Sequence, residues 1–200
     1  NEVQKFKKII NISGVTTNPS IMKNEGVLNY YDHCIKMRSK IHDIPLSFEI
    51  LSDNREKIID QAIKLSNIGK NIYVKIPIVN SLGKSNLAII KKLLSENIKI
   101  NVTAILNKNQ ISSLAKIVKN KDDVIVSIFA GRIADTLRDP LEYIKYAKIK
   151  FKNKNNSKIL WASCREVLNI QQANSSNCDI ITVSPSLLSK IKMYKMSLKN

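Results

Sequence analysis

Histidine is almost missing from this chain of 200 residues. Only His33 and His42 occur, and neither has cysteine or carboxylates at ligand spacing, so no zinc or iron site is expected. Cysteine is as scarce: Cys34, Cys164 and Cys178 are odd in number and far apart. They suit reduced thiols of a cytosolic protein and do not make a disulfide framework. No apolar run approaches the roughly 18 residues that a membrane span needs. The opening stretch from Asn1 to Lys8 is charged and amphipathic, without the apolar centre of a signal peptide. A cytoplasmic protein with no membrane partner is the expectation. Glycine and proline, five each, nowhere gather into a linker, and no low-complexity tract or break in composition divides the chain. Residues 1–200 therefore read as one domain, and 44% hydrophobic content is ample for its core.

Acidic residues are few, 16 against 33 basic ones, giving a net charge of +17. Such an excess invites a nucleic-acid reading. The lysines, however, are scattered over the whole chain among many Asn and Ile, and aromatics are not interleaved with them as a single-strand binder requires. A compositional bias laid over solvated helix faces explains them better, and no nucleic-acid partner is expected. Arginine is the rare basic residue, at positions 38, 55, 132, 138 and 165 only. In a lysine-rich chain these five deserve separate reading, because the guanidinium makes planar, bidentate phosphate contacts that an ammonium cannot.

What the chain does have is an alternation. Strand-like runs at Gly14–Pro19, Leu46–Ile50, Asn71–Pro77, Ile98–Leu106, Val124–Ala130, Lys158–Ala162 and Asp179–Val183 alternate with stretches of helical period. The helical stretches between them are Leu28–Ile41, Asp53–Asn67, Ser85–Asn97, Lys108–Lys119, Pro140–Lys150 and Arg165–Asn174, with Asp53 and Ser85 as expected caps. Val3–Ile10 opens the chain and Ser186–Ser197 closes it, both with helical pattern. Strand–helix repetition implies a parallel sheet with right-handed crossovers: an open doubly wound sheet, or a (β/α)8 barrel lacking its first strand. The polar residues choose between them. Side chains two apart share a face of a strand, which groups Ser47 with Glu49, Tyr73 with Lys75, Asn101 with Thr103, Ser127 with Phe129, and Trp161 with Ser163. The intervening residues are nearly all apolar. Several strands thus offer one polar-bearing face towards their C-terminal ends, which is how a barrel site is built; the expected fold is a TIM barrel of the α/β class.

Lys75 is the sharpest single residue, one charge inside the apolar run Ile72-Tyr73-Val74-Lys75-Ile76-Pro77. An ammonium on a buried strand loses hydration, which disfavours its charged form. A neutral lysine is a nucleophile towards carbonyls and forms Schiff bases. The plainer alternative is a lysine with a buried stem and a head in water.

Five segments carry a family resemblance: Gly14-Val15-Thr16-Thr17-Asn18-Pro19-Ser20, Tyr73-Val74-Lys75-Ile76-Pro77, Asn101-Val102-Thr103-Ala104-Ile105, Ser127-Ile128-Phe129-Ala130-Gly131-Arg132-Ile133 and Trp161-Ala162-Ser163-Cys164-Arg165-Glu166. In order and spacing they resemble the transaldolase family over essentially the whole chain. In length the chain resembles its short bacterial subgroup, which also includes fructose-6-phosphate aldolases. The resemblance implies a class I, metal-free and cofactor-free barrel enzyme in which Lys75 forms the Schiff base. Glu49 and Thr103 match the pair that orients a water for proton transfer, and Asn18 and Asn101 match residues holding substrate hydroxyls. Ser127 matches a donor-subsite residue, while Arg132, Ser163 and Arg165 match phosphate anchors for a sugar-phosphate substrate. Plainer readings stand beside these: Asn18-Pro19 favours a turn by itself, Glu49 could serve a surface lysine, and Arg132 or Arg165 a surface ion pair. Aldolase-type members resemble one another in carrying Gln and Tyr where this chain has Glu49 and Phe129, so transfer of a dihydroxyacetone unit, as in the pentose phosphate pathway, is expected over release of the free ketone. The family's first-strand aspartate has no counterpart within residues 1–200, and is expected upstream of Asn1. The resembled subgroup assembles pentamer-based rings through its C-terminal helix, so a homo-oligomer is expected.

Overall fold

The computed structural model describes residues 2–8 and 10–193. Among these residues seven strands, all parallel, lie side by side in the order in which they occur along the chain. They are β1 (Val15–Thr16), β2 (Leu46–Glu49), β3 (Ile72–Pro77), β4 (Ile100–Ile105), β5 (Val124–Ile128), β6 (Ser157–Trp161) and β7 (Ile180–Ile181). The sheet curls into a half-barrel with helices between its strands, a TIM-barrel-like α/β fold. The helices are α1 (Glu2–Lys7), α2 (Pro19–Asn24), α3 (Tyr30–Lys40), α4 (Arg55–Ser66), α5 (Leu87–Ser95), α6 (Lys108–Ile117), α7 (Ala130–Ala134), α8 (Pro140–Lys150), α9 (Leu168–Ser175) and α10 (Pro185–Leu188). A 3-10 turn over Ser189–Met193 follows. Of the helix expected at Ser186–Ser197, residues 194–197 lie outside the described residues.

The asparagine-rich composition has a local use. Asn18, Asn29, Asn54 and Asn107 each accept a main-chain N–H three residues on, capping α2, α3, α4 and α6. Each such cap contributes about 1 kcal/mol. The expected cap of α4, Asp53, is displaced by one residue: Asn54 caps, and the Asp53 carboxylate accepts from Ser81 N at 3.3 Å, joining two loops on the C-terminal side of the sheet. Likewise Asn86 occupies the cap position of α5, while Ser85 Oγ accepts from Leu87 N.

Most of the core lies between sheet and helices. Phe48, Val74, Val102, Val126 and Trp161 from the strands pack there with Ile58, Leu93, Leu114 and Ile144 from the helices. A second, smaller apolar cluster of Ile125, Leu160 and Ala162, with Tyr73, Phe129 and Ile180 against it, lines the inner face. This corrects one face assignment. Trp161, fully buried, belongs to the helix-facing core, and β6 turns Leu160 and Ala162 inward. The register explains it: inward Ser127 pairs with Leu160, so Trp161 beside Ile128 must face the helices. Beyond Ala162 the two-residue alternation ends, because Ser163 takes a left-handed backbone (φ 65°).

Candidate active site

The inner face of β2 to β5 carries the polar residues in register. Glu49, Lys75, Asn101 and Ile125 form one row across four strands, with Ser47 and Tyr73 in the row below and Pro77 and Thr103 in the row above. Neighbouring strands lie about 4.8 Å apart, so same-face groups in a row must interact. Lys75 Nζ meets Glu49 Oε2 at 2.9 Å and donates to the Thr17 carbonyl at 3.1 Å. The two side chains are only 10% and 16% exposed. The plainer reading of Lys75, a buried stem with its head in water, is therefore not what the structure shows. Its ammonium sits among protein groups with a carboxylate as counter-charge. Removing one partner of such a buried pair costs about 3–5 kcal/mol, because the other is left uncompensated.

Alongside this pair runs a polar chain. Asn101 Nδ2 donates to Ser47 Oγ at 3.2 Å, and Ser127 Oγ donates to Asn101 Oδ1 at 2.8 Å. All three side chains are buried, and their hydrogen bonds link β2, β4 and β5 beside Lys75. Thr103 differs: its hydroxyl is buried without a protein hydrogen-bond partner among the described residues. A buried hydroxyl left so costs about 1–3 kcal/mol. It stands where β4 carries one extra residue, advancing three from Val102 to Ile105 while β5 advances two from Val126 to Ile128. Ala104 absorbs the insertion with a left-handed backbone (φ 58°), and bulges of this kind re-aim side chains near active sites.

The other named residues sit apart. Asn18 is extended, with its carbonyl oxygen Oδ1 occupied by Ile21 N at 2.8 Å, so its turn-forming role is realised whatever else it does. Phe129 leads into α7 and packs over the inner apolar cluster. Arg132 is exposed on α7, and Arg165 is exposed in an ion pair with Asp135. Ser163 closes over Gly131, where an added Cβ would lie 1.7 Å from the Ser163 carbonyl oxygen. Only glycine permits that approach. Among the described residues no hydrogen bond or ion pair joins Ser163, Arg132 or Arg165 to the Lys75 group. Burial pushes the neighbouring Cys164 thiol up to about 12, which keeps it protonated and a poor nucleophile. No group of three or more His, Cys, Asp or Glu able to hold a metal ion occurs among the described residues.

A family model described as Transaldolase/Fructose-6-phosphate aldolase matches residues 1–199. The chain belongs to this family. A probable transaldolase of Thermoanaerobacter sp. (strain X514) is 32% identical over 198 residues, covering 98% of this chain and 87% of that protein. A probable transaldolase of Clostridioides difficile (strain 630) is 32% identical over 197 residues, with the same two coverages of 98% and 87%. One from Thermoplasma volcanium is 34% identical over 179 residues, 88% of this chain and 77% of that protein. No described helix of this transaldolase-family chain is long and apolar enough to cross a membrane.

Three residues near the Lys75–Glu49 pair were assigned no role from the sequence. Ser47 was visible as the residue two before Glu49 on one face. Thr17 contributes a main-chain carbonyl, for which a sequence has no sign. Tyr30, whose hydroxyl donates to the Glu49 carbonyl at 2.6 Å, lies in an unremarkable helix start.

Proposed function

We propose that the protein is a transaldolase that passes a dihydroxyacetone unit from a ketose phosphate to an aldose phosphate through a Schiff base on Lys75. The observation that carries this reading is the buried Lys75–Glu49 pair, at the C-terminal ends of adjacent barrel strands. A protein that merely binds sugar phosphates has no use for an ammonium and carboxylate enclosed this way, since each loses hydration there.

In this reading Glu49 takes a proton from the Lys75 ammonium, and the amine adds to the ketose carbonyl. Proton return to the carbinolamine hydroxyl expels water and leaves an iminium. Breaking the bond between the third and fourth carbons sends its electron pair to the iminium while the hydroxyl on the fourth carbon passes its proton to a carboxylate, the role that the resemblance gives to the first-strand aspartate. This leaves an enamine and a free aldose phosphate; the same proton returns when the enamine adds to the acceptor. The enamine then attacks the aldehyde of the acceptor, and water hydrolyses the new iminium. Thr103, whose hydroxyl lacks a protein partner, is suited to hold that water beside Glu49. Asn101 and Ser127, now bonded to one another, would exchange that contact for substrate hydroxyls, joined by Asn18. Arg132, Ser163 and Arg165 would hold the phosphate, and Phe129 would place an apolar ring beside the intermediate. No metal enters any step.

Borohydride reduction in the presence of fructose 6-phosphate, read by peptide mass, should place one reduced adduct on Lys75 with or without EDTA. Lys75→Arg should abolish it while keeping a cation opposite Glu49. An adduct elsewhere, or none, would refute the mechanism. Adding an aldose phosphate should then turn ketose consumption into transfer; equal release of dihydroxyacetone with and without acceptor would favour the aldolase chemistry that the family also includes.

A further inference from the structure

Tyr30 lies outside every motif that carries the family resemblance, yet it touches the main chain of Glu49. The reason is found in the ladder between β1 and β2. Val15 N donates to Pro45 O at 3.0 Å and Thr17 N to Ser47 O at 3.1 Å. A parallel ladder advances two residues on each strand, so its next rung would run from the N–H of residue 19 to the carbonyl of Glu49. The backbone still points that way, since Asn18 is extended (φ −148°, ψ 163°). Residue 19 is proline, however, and proline has no N–H to give. The Tyr30 hydroxyl donates to that carbonyl instead, at 2.6 Å. Burial raises the Tyr30 phenol well above its ordinary value, so it remains a donor throughout the neutral range. Asn29 caps the helix start at Tyr30, and Cys34, one turn along, is fully buried.

We propose that Tyr30 is a positioning residue for the Lys75–Glu49 pair, its hydroxyl replacing the ladder donor that Pro19 lacks and fixing the main chain from which the Glu49 carboxylate reaches Lys75. Its kinetic consequence rests on the Schiff-base reading above; its effect on the pair does not. Tyr30→Phe removes one oxygen and keeps the ring. Competitive labelling with acetic anhydride, read by peptide mass, should show Lys75 about fivefold more reactive in this variant, relative to exposed Lys57 and Lys158, the factor expected for loss of one ordinary hydrogen bond. In a Glu49→Gln background Tyr30→Phe should change the labelling of Lys75 by less than about twofold. Pro19→Ala added to Tyr30→Phe restores an N–H at the rung and should return Lys75 towards its original reactivity. Unchanged labelling in Tyr30→Phe, an equal change without the Glu49 carboxylate, or no rescue by Pro19→Ala would each overturn the assignment. With fructose 6-phosphate and borohydride, the same variant should form the Lys75 adduct about five- to tenfold more slowly at saturation, with KM within about twofold. Full adduct rate in Tyr30→Phe would overturn the proposal. The expected labelling pattern without any ketose adduct in the unaltered protein would instead overturn the Schiff-base reading and support the role of Tyr30.

Discussion

The wall built by β2, β3 and β4 and the end of the barrel formed by β5, β6 and α7 use polar residues in opposite ways. In the first, Glu49, Lys75, Asn101 and Ser47 are buried and bonded to one another. At the second, the inward strand residues include apolar Ile125, Leu160 and Ala162, and the arginines stand exposed at the rim. The difference follows from the cost of burial. A charge taken from water needs its partner in place at all times, so the group proposed for covalent chemistry is fixed in advance. A guanidinium at the rim keeps most of its hydration and can exchange partners cheaply, which suits a ligand that arrives and leaves already charged.

The largest expected effect breaks the second region while sparing the first. In Gly131→Ala the new methyl would sit 1.7 Å from the Ser163 carbonyl oxygen, so either α7 or the turn after β6 must move. Overpacking against main chain costs about 3 kcal/mol or more. In a chain of this size that lowers Tm by roughly 6–12 °C, measurable by calorimetry. Lys75 should still form its adduct at temperatures where the variant is folded, because its partners Glu49 and Thr17 belong to the other wall. Equal loss of stability and adduct would mean that the two regions are one cooperative unit.

Much of this division was legible from the sequence. The two-residue alternation located the inward face of β2 to β5, and it did so because those strands pair in register without interruption up to Val102. It failed at Trp161, where nothing in the alternation of β6 said which parity faced the helices; the pairing of Ser127 with Leu160 decides that, and register is a tertiary fact. The bulge at Ala104 and the left-handed Ser163 were equally hidden, since neither residue type favours such a backbone. The extended runs expected at β1 and β7 are two residues each, and these are the strands that, among the described residues, pair on one side only. At the arginines composition gave only rarity. Arg38, equally rare, donates to the carbonyls of Ile41, His42 and Ile44 at the end of α3, a structural task that scarcity alone does not distinguish from ligand binding.

A middle-sized effect sharpens the account of the polar chain. Ser127→Ala leaves Asn101 Oδ1 without its one donor among the described residues, at a site that is 1% exposed. An orphaned buried acceptor costs about 1–3 kcal/mol, to be read from urea unfolding. The Lys75–Glu49 contact does not pass through Ser127, so labelling of Lys75 by acetic anhydride should stay unchanged. A large change would show that the polar chain supports the ion pair.

The smallest effect on stability is expected at Asp135. Its ion pair with Arg165 joins side chains that are both 51% exposed, and exposed pairs contribute about 1 kcal/mol or less. Asp135→Ala should therefore leave Tm within about 3 °C. If Arg165 instead exchanges Asp135 for the substrate phosphate, removing the carboxylate takes away a competitor. KM for a ketose phosphate should then fall by about two- to threefold, the factor matching a weak exposed pair. Arg165→Ala should act in the opposite sense and more strongly, raising KM about ten- to a hundredfold for the loss of a charge-assisted contact. Neither change should alter the handling of dihydroxyacetone, which has no phosphate to hold. The pair of variants separates the two roles of one arginine. A purely structural Arg165–Asp135 pair would make both substitutions destabilise alike and would leave the preference for phosphorylated substrate intact.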